Sequence, residues 1–378
     1  MNTPIWDDEQ WPGLATLQGT VEADVCVVGL GGSGLSAIHE LRRLGKSVVG
    51  LDAGPVAGRA AGRNGGFLIA GLASFHHDAV AALGRQRATA LYRLTLAEID
   101  RFLKATPTLV RRTGSLRIAT TPEERDDCEK QLAAMRADAL SAEPYEGPEG
   151  IGLLFPEDAV FQPLARCRRL ARAAIDAGAT LFEHSPAISI AGNFVQTPAG
   201  RVECGAVVVA VDGGLAELLP ELAGEVRTAR LQMLATEPTA EVRLPRPVYA
   251  RYGMEYWQQL PGGEIALGGY RDHGGAGEWT VDSRPTDLVQ SRLEHHLRHT
   301  IGVTAPITHR WAASVGFATG PLPILSECRP GVWAIGGYSG TGNLIGAILG
   351  RAAARRVADV AQQSFDSAFD KPSGAIGR

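Results

Sequence analysis

Residues 23–52 read ADVCVVGLGGSGLSAIHELRRLGKSVVGLD, and this segment is the strongest indication of the fold. Residues 23–29 form a short, nearly continuous apolar run, which is typical of a strand buried on both faces of a parallel sheet. Residues 35–44 have helical spacing, and Gly45 ends the helix. Residues 47–52 predict a second strand. A strand, a helix and a strand within about 30 residues predict a βαβ unit.

The turn between the first strand and the helix, residues 29–34, reads GLGGSG and matches the pattern G-x-G-x-x-G. One glycine allows a tight turn, the next lets the backbone approach a pyrophosphate, and the last allows close packing of helix on strand. The N-terminus of the helix directs free N–H groups at the phosphates. Asp52 ends the second strand about 20 residues later, where an acidic side chain binds ribose hydroxyls and would repel the 2′-phosphate of NADP. The predicted contacts of this Rossmann-type site for NAD or FAD are Gly29, Gly31, Gly32, Ser33, Gly34, Asp52 and Ala53.

The rest of the chain predicts further helices and strands from its hydrophobic periodicity and its turn residues. Helices are predicted over residues 78–106, 122–140, 163–177, 285–301 and 342–361. Strands are predicted over residues 115–119, 180–183, 206–211, 252–259, 264–271 and 331–336, with a hairpin within residues 187–203. Dinucleotide-binding character thus appears at the start, in the middle and at the end of the chain.

Two further glycine-rich stretches distinguish between NAD and FAD. Residues 58–67 read GRAAGRNGGF, and residues 336–345 read GGYSGTGNLI before the last long helix. These stretches resemble the FAD amine oxidases of the D-amino-acid-oxidase-like superfamily, above all relatives of gamma-glutamylputrescine oxidase and, more distantly, glycine oxidase and sarcosine oxidase. The resemblance extends from about residue 22 to about residue 360.

The resemblance implies an FAD cofactor held by these stretches. An arginine would be a fixed cation for phosphate, and the last helix would direct its positive end at the flavin, which stabilises negative charge on the reduced ring. Residues 311–323 contain no cysteine of the kind found in sarcosine-oxidase-like enzymes, so we expect non-covalent FAD. The implied contacts are Arg59, Ala61, Arg63, Asn64, Gly65, Gly66, Phe67, Ala187, Ala210, Val211, Gly337, Tyr338, Ser339, Gly340, Thr341, Gly342 and Asn343.

We therefore expect an α/β fold in which a Rossmann-type FAD-binding domain is joined to a discontinuous α+β substrate domain built on an antiparallel sheet. The FAD-binding domain would comprise residues 1–77, 151–225 and 318–364. The substrate-binding domain would comprise residues 78–150 and 226–317, and residues 365–378 would form a loose tail.

The substrate pocket is expected around the strand at residues 252–259, where alternate side chains share one face. Aromatic rings on that face can hold an ammonium group by cation–π attraction. Relatives of glycine oxidase hold a substrate carboxylate with an arginine near residues 311–320, but no arginine stands there. Either the substrate is an amine without an α-carboxylate, or another residue holds the carboxylate, for which Arg271 is the candidate. The expected pocket residues are Tyr256, Gln258, Arg271 and Tyr338, and no catalytic side chain is assigned.

The expected reaction is the FAD-dependent oxidation of the C–N bond of a small amine or amino acid. By resemblance, a hydride would pass to flavin N5, water would hydrolyse the imine product, and O2 would take the electrons and give H2O2. Two alternatives stay open. One is a flavoprotein dehydrogenase of the same fold with a quinone or protein acceptor, and the other is a non-catalytic flavin-binding module.

Composition and charge argue against several other classes. The formal net charge of −4 gives no reason to expect nucleic acid or an anionic membrane as a partner. No stretch approaches the ~20 apolar residues that span a bilayer, and residues 1–10 show no secretory signal. The five cysteines lack metal-ligand or redox spacing, and His295 and His299 lack a carboxylate to complete a metal site. We expect a cytoplasmic protein without a metal.

Overall fold

The computed structural model describes residues 2–7 and 11–369, and helices and strands are numbered along the chain. The strands are β1 (Gly19–Val28), β2 (Val48–Leu51), β3 (Phe67–Leu68), β4 (Val110–Arg112), β5 (Ser115–Ile118), β6 (Glu143–Gly147), β7 (Gly150–Phe155), β8 (Ala159–Phe161), β9 (Thr180–Phe182), β10 (Ser189–Ala191), β11 (Phe194–Gln196), β12 (Gly200–Val209), β13 (Val226–Thr236), β14 (Val248–Ala250), β15 (Glu255–Gln259), β16 (Ile265–Gly269), β17 (Ile307–Ala318), β18 (Ile324–Arg329) and β19 (Val332–Gly336). The helices are α1 (Gly32–Arg43), α2 (Ala60–Arg63), α3 (His76–Leu83), α4 (Arg85–Ala105), α5 (Pro122–Ala137), α6 (Pro163–Asp176), α7 (Leu215–Leu218), α8 (Asp287–His296) and α9 (Gly342–Phe369).

The first sheet contains the expected parallel strands at its centre. Its strands run in the order β10-β11-β12-β1-β2-β9, with β19 beside β12 and β18 beside β19. β1 pairs in parallel with both β2 and β12, and β12 pairs in parallel with β19. The apolar run predicted as a buried strand lies in β1, where Val25 and Val27 pack in one core cluster with residues of α1, α6 and α9. This confirms the α/β class and the βαβ unit at the start of the chain.

Helices α1 and α9 lie against each other at a point where only glycine fits. A Cβ added at Gly350 would lie 2.2 Å from the carbonyl oxygen of Ser33 and 3.1 Å from the backbone nitrogen of Ala37. The two helices can therefore approach to backbone contact. Because the dinucleotide loop leads into α1 and the last glycine loop leads into α9, this contact brings the two loops together.

The second sheet has eight strands in the order β17-β13-β16-β15-β14-β5-β7-β6. Its pairs are antiparallel except for β14 with β5, which run in parallel. One face packs against α8 through residues such as Trp257, Leu267 and Leu293, and the other face borders the cavity described below. A small third sheet, β3-β8-β4, joins the segments between the two large sheets.

Several helices and strands begin or end at other residues than the sequence predicts. The helix expected over residues 78–106 is two helices, because Gly84 adopts a left-handed φ of +81° between them. The strand expected to begin at Tyr252 begins instead at Glu255, because Arg251 and Tyr252 have φ of +49° and +54° and form a turn. The alternation of apolar side chains does not reveal such a turn, because it carries no information on the sign of φ.

Two other expectations concern connections. The hairpin expected within residues 187–203 is a three-stranded antiparallel arrangement, β10-β11-β12. The hairpin expected between residues 252–259 and 264–271 is present as β15 and β16. Helix α9 continues to Phe369, so the first five residues of the tail expected from residue 365 are helical, and residues 370–378 lie outside the described part. Among the described residues, no helix is both long and apolar enough to cross a membrane.

Candidate functional site

A cavity of ≈490 Å³ lies between the two large sheets. Its first-sheet wall follows the carboxyl ends of β1, β2 and β12, at Gly29, Asp52 and Ala210. In open parallel sheets, ligands bind in the crevice beyond these strand ends. Its second-sheet wall is formed by residues of β5, β13, β14, β15 and β17 and of the segments that follow β14 and β16. The cavity volume is in the range of small-molecule sites.

The glycine loop between β1 and α1 is shaped as a dinucleotide loop requires. Gly29 has a φ of +104°, and a Cβ added at Gly34 would lie 1.8 Å from the carbonyl oxygen of Gly29. A Cβ added at Gly32 would meet no atom within 4 Å. The loop is thus tightly packed where the helix meets the strand and open where a ligand would approach.

Asp52 is held in place by the backbone of the same loop. Its Oδ2 accepts a hydrogen bond from the Leu30 N–H at 2.8 Å, and its Oδ1 accepts one from the Gly54 N–H at 2.9 Å. Burial raises the pKa of Asp52, while these two hydrogen bonds and the charge of Arg59 act in the opposite direction. The carboxylate therefore lies at the end of β2, oriented towards the cavity that it lines.

The second glycine motif is tied to the first turn of α9 by two asparagines. Asn64 and Asn343 exchange side-chain hydrogen bonds of 3.1 and 3.2 Å. Asn64 also accepts from the Gly66 N–H at 2.9 Å and donates to the Ala61 carbonyl at 2.9 Å, and Asn343 donates to the Phe67 carbonyl at 2.8 Å. Both motifs that carried the resemblance are therefore joined directly, although 279 residues separate them.

Arg63 makes its hydrogen bonds within the protein. Its Nε donates to the Ala312 carbonyl at 2.8 Å, and its Nη2 donates to the Asn2 carbonyl at 2.7 Å. Residues near the N-terminus cross the same motif, since Trp6 Nε1 donates to the Asn64 carbonyl at 2.7 Å. Arg63 lines the cavity, and these contacts fix its orientation through a segment that sequence patterns did not connect with the site.

Asp212 joins three segments at the end of β12. Its Oδ1 accepts hydrogen bonds from the N–H groups of Gly337 at 3.0 Å and Tyr338 at 3.3 Å, and its Oδ2 accepts one from the Gly316 N–H at 2.9 Å. Burial raises the pKa of Asp212 to about 6, although these hydrogen bonds favour the charged form. This carboxylate therefore anchors the last glycine loop to β12 and β17.

Tyr338 lies on the dinucleotide side of the cavity, where its ring packs on the beginning of α9. A Cβ added at Gly342 or Gly346 would lie 3.0 or 3.3 Å from the ring, and the side chain of Ser33 is adjacent. The residue is 6% exposed, and its Oη has no hydrogen bond of ordinary geometry among the described residues. A buried phenol without a partner is costly unless a ligand provides one.

The cavity carries more positive than negative side chains. Three acidic residues line it, Asp52, Asp212 and Glu217. Among the described residues, none of the lining arginines lies within 4.0 Å of a carboxylate oxygen; these are Arg59, Arg63, Arg117, Arg166 and Arg271. Open space at the glycine loop, an unpartnered phenol and unpaired cations fit a ligand with a diphosphate, as in FAD.

Two stacked tyrosines of the second sheet, Tyr249 and Tyr256, form the surface that we call the aromatic floor. Their ring centroids are 5.8 Å apart and their planes differ by 24°. Phe67 meets both rings edge-on, at 6.1 and 6.0 Å, and a Cβ added at Gly65 would lie 3.4 Å from the Tyr256 ring. The second glycine motif therefore lies directly against the aromatic floor.

Arg271 lies at one end of the aromatic floor. Its guanidinium carbon is 4.8 Å from the Trp279 ring centroid and 5.0 Å from that of Phe317. Burial lowers the pKa of Arg271, while the charges of nearby acidic residues, Asp272 first, oppose this shift. No hydrogen bond or ion pair of this side chain is present among the described residues, so the guanidinium faces the cavity with its donors unused.

The structure places most of the predicted site residues around this cavity. Gly34, Gly66 and Gly337 do not line it, but φ of +74° and +67° at the last two shape the loops that do. Gln258 also does not line it, because this buried residue donates its Nε2 to the Gly65 carbonyl. The expected place of Gln258 in the substrate pocket is therefore corrected: its amide supports the second glycine motif.

The sequence analysis did not identify several lining residues, among them Arg117, Tyr249, Asp212 and Arg166. Asp212 had a usable signal, since it directly follows an apolar strand at the edge where Asp52 also lies. Arg117 and Tyr249 had none, because β5 and β14 meet only through pairing of distant segments. Arg166 lies on the buried face of α6, with its guanidinium 3.4 Å from the Phe102 ring centroid.

Several other titratable side chains lie away from this cavity. His76 is buried and bonded through Nε2 to Asp138 Oδ2 at 2.8 Å, and Arg310 pairs with Glu294 at 2.6 Å. Neither lines the cavity. The rings of His295 and His299 are 4.4 Å apart, but no group of three or more metal-ligating side chains occurs among the described residues.

Known proteins resemble this chain both in sequence and in fold. The Rhizobium meliloti (strain 1021) protein named "Probable oxidoreductase OrdL" is 26% identical, over 90% of this chain and 84% of its own length. Gamma-glutamylputrescine oxidoreductase of Escherichia coli (strain K12) is 26% identical, over 94% of this chain and 88% of its own. The crystal structure of glycine oxidase from Geobacillus kaustophilus shares the fold with a TM-score of 0.74 at 20% identity, covering 90% of this chain and 95% of that one.

A family model described as FAD dependent oxidoreductase matches residues 24–356. The match begins in β1 and ends in α9, so it spans both large sheets and the whole cavity between them. The chain belongs to the FAD dependent oxidoreductase family, and FAD is the cofactor that its diphosphate-fitting cavity serves.

Proposed function

We propose that this protein oxidises the C–N bond of a small amine or amino acid and that O2 is the final acceptor, giving H2O2. Bound FAD supplies the acceptor for the hydride that leaves the carbon next to nitrogen. The observation that carries this proposal is the aromatic floor, which touches the second glycine motif and ends at the unpaired Arg271. Two similar proteins, named gamma-glutamylputrescine oxidoreductase and glycine oxidase, support an amine or amino acid as substrate.

The substrate end of the cavity suits a carboxylate-bearing amine. Arg271 presents a planar, always charged fork, which pairs with a carboxylate in bidentate geometry. Trp279 and Phe317 support the guanidinium from within the protein, so the side chain is held before a ligand arrives. The Tyr249 and Tyr256 rings line the same cavity beside the second glycine motif, where the amine end of the same ligand would lie.

The second-sheet wall of the cavity offers no base for the proton on the substrate nitrogen. Among the described residues that the second sheet contributes to the cavity, there is no carboxylate and no histidine. Burial raises the pKa of Tyr249 and of Tyr256, so both phenols stay neutral at ordinary pH. The protein's own role is to orient a neutral amine and to exclude water, and the rate of substrate oxidation should increase with pH as the free amine becomes available.

The cofactor contacts are part of the same proposal. We assign the dinucleotide loop, Asp52, the second glycine motif and the last glycine loop to FAD, bound non-covalently, because they surround one cavity. The two-domain division also stands as a proposal, with one change. β7 (Gly150–Phe155) pairs with β5 and β6 of the second sheet, so the boundary placed at residue 151 moves to after Phe155. A cytoplasmic location is consistent with five cysteines that form no disulfide.

The test is an anaerobic absorbance spectrum of the purified holoenzyme before and after addition of amines and of D- and L-amino acids. Bleaching of an oxidised flavin spectrum by one class of compounds supports amine oxidation and identifies the substrate class. A flavin spectrum that no compound in a broad panel bleaches would favour the non-catalytic flavin-binding module.

The acceptor needs a separate measurement on the same preparation. Admission of air to the reduced enzyme should restore the oxidised spectrum and give one H2O2 for each amine oxidised. If the flavin stays reduced in air but is reoxidised by a soluble quinone, the protein is the dehydrogenase that the sequence analysis left open as the alternative.

A further inference from the structure

One row of residues crosses the second sheet beneath the cavity. Arg117 of β5 is the register partner of Tyr249 in β14, Tyr249 is the partner of Tyr256 in β15, and Tyr256 is the partner of Gly268 in β16. Residues directly opposite each other on paired strands project from the same face of a sheet. Arg117 therefore lies beside the aromatic floor, on the side opposite Arg271.

The absence of a side chain at Gly268 completes this arrangement. A Cβ there would lie 2.3 Å from the Tyr256 ring, so the ring extends over β16 towards the segment that carries Arg271. The charge of Arg271 acts on the Tyr256 hydroxyl, and the charge of Arg117 acts on the Tyr249 hydroxyl. Three strand spacings of roughly 4.8 Å separate β5 from β16, which puts the two ends of the floor about 14 Å apart at the backbone.

Arg117 is oriented by its surroundings much as Arg271 is. Its guanidinium carbon lies 4.3 Å from the Phe75 ring centroid and 5.6 Å from that of Phe155. Its Nη1 donates to Gln131 Oε1 at 3.0 Å, and it has no ion pair among the described residues. A half-buried guanidinium with one neutral partner keeps most of its donors available for an anion.

The charges on this wall have one sign. Arg117 and Arg271 are the charged side chains that second-sheet segments contribute to the cavity, within the described part of the chain. The three lining carboxylates, Asp52, Asp212 and Glu217, all follow strands of the first sheet, and the diphosphate of FAD would lie with them at the dinucleotide loop. The two second-sheet cations are therefore left for the substrate.

We propose that Arg117 forms a second anion subsite and that the substrate is an amine with two separated carboxylates, one bound by Arg271 and the other by Arg117. The nitrogen and the carbon that loses hydride lie between them, over the aromatic floor and next to the second glycine motif. This inference rests on the proposed amine oxidation, because it assigns the substrate class of that same site.

Redox-inert dicarboxylates test the two subsites without turnover. The holoenzyme is titrated with succinate, glutarate, adipate, pimelate and suberate, each compared with the monocarboxylate of equal chain length. Binding is followed through the flavin difference spectrum and through the shift in Tm. At least one dicarboxylate should bind about tenfold or more tightly than its monocarboxylate partner, since it makes one more charge-assisted contact.

Substitutions then assign the gain to the two arginines. Arg117→Met and Arg271→Met should each reduce the affinity for the best dicarboxylate to that of its monocarboxylate partner. Arg117→Lys keeps the positive charge and replaces Arg117→Met in this titration if Arg117→Met does not fold. Arg227→Met is the matched control. The guanidinium carbon of Arg227 lies 4.0 Å from the centroid of the Trp279 ring, which Arg271 also contacts, but Arg227 does not line the cavity. Equal affinities for the two ligand series, or a dicarboxylate preference that survives Arg117→Met, would overturn the proposal.

The outcome is separable from that of the proposed function. If amines with two carboxylates bleach the flavin fastest and Arg117→Met removes that advantage, both proposals hold. If simple monoamines bleach the flavin and dicarboxylates show no preference, the second subsite is wrong and amine oxidation stands. If dicarboxylates bind as expected but no amine bleaches the flavin, amine oxidation is wrong, and the two-anion site remains only as a ligand-binding site.

Discussion

At the scale of single residues, Asp212 shows how burial and hydrogen bonding oppose each other. The carboxylate accepts three backbone hydrogen bonds, yet burial still raises its pKa to about 6 from an ordinary value of 3.8. Its backbone has a left-handed φ of +47°, a region in which Asp and Asn are favoured among non-glycine residues. The backbone of Asp212 thus forms a local turn, while its carboxylate joins three segments.

This pKa gives a prediction about stability. Because the folded-state pKa of Asp212 lies above the unfolded one, the folded protein holds the proton more tightly, and its free energy of unfolding falls as pH rises from about 4 to about 6. Asp212→Asn removes the titration but leaves an amide N–H facing a backbone N–H. The substitution should therefore destabilise the protein at pH 4.5, and the deficit should shrink by roughly 2 kcal/mol by pH 7.5.

Urea unfolding of the native protein and Asp212→Asn at both pH values measures this difference. Parallel stability curves for the two proteins would show that Asp212 does not titrate in this range. Asp24→Asn, at a surface turn where Asp24 accepts hydrogen bonds from Ser47, is the control for loss of a carboxylate outside this buried junction.

At the scale of elements, the contact between β15 and β16 determines where the aromatic floor lies. Gly268→Ala would place a methyl group within 2.3 Å of the Tyr256 ring and force the ring away from β16. We expect FAD content to stay the same, while the rate of anaerobic flavin reduction by substrate falls about tenfold or more, because small displacements strongly affect positioned reactions. Stopped-flow absorbance measures this rate.

Gly262→Ala is the matched control in the same hairpin. An added Cβ there meets only the carboxylate end of Glu264, which can move into solvent. It should leave both FAD content and the reduction rate unchanged. If the flavin of Gly268→Ala is also reduced by substrate at the native rate, Tyr256 does not position the substrate.

The packing of α1 on α9 gives a second prediction at this scale. Gly350→Ala would bring a methyl group to 2.2 Å from the carbonyl oxygen of Ser33. This atom belongs to the backbone of α1 and cannot move aside as the end of a flexible side chain could. The helices must separate, so we expect a loss of about 1–3 kcal/mol in the free energy of unfolding and weaker FAD binding. Thermal unfolding and FAD titration of the apoprotein measure the two effects. An unchanged affinity for FAD would mean that this helix contact does not shape the dinucleotide loop.

The elements also show what sequence can predict. The first sheet was predictable because its strands are continuous apolar runs and its glycines have local tasks, as at Gly29 and Gly34. The left-handed turn at Arg251 and Tyr252 was not, because neither residue type signals a positive φ. The row from Arg117 to Tyr256 was not predictable either, since register between strands more than a hundred residues apart depends on the whole sheet.

At the scale of the whole molecule, the cavity joins parts of the chain that are distant in sequence. Arg59 and Arg63 come from the second glycine motif, Arg166 from α6, and Arg117 and Arg271 from second-sheet segments. The sequence predicted three of these arginines as site residues. It could not reveal that all five face one volume, because that depends on how the two large sheets pack together.

Cofactor removal should therefore destabilise the whole molecule and make it sensitive to anions. Without the FAD diphosphate, the unpaired arginines repel one another across the cavity, and phosphate ions should partly replace the ligand. FAD at about a hundred times its Kd should stabilise the apoprotein by about 2.7 kcal/mol. Phosphate should raise the Tm of the apoprotein, and it should do so less for the holoenzyme, where the diphosphate already occupies the dinucleotide loop and the arginines next to it. Calorimetry of both forms in phosphate and in chloride at equal ionic strength separates this binding from general screening. Equal phosphate effects on the two forms would show that the cavity arginines are not the anion site that the fold arranges around its cofactor.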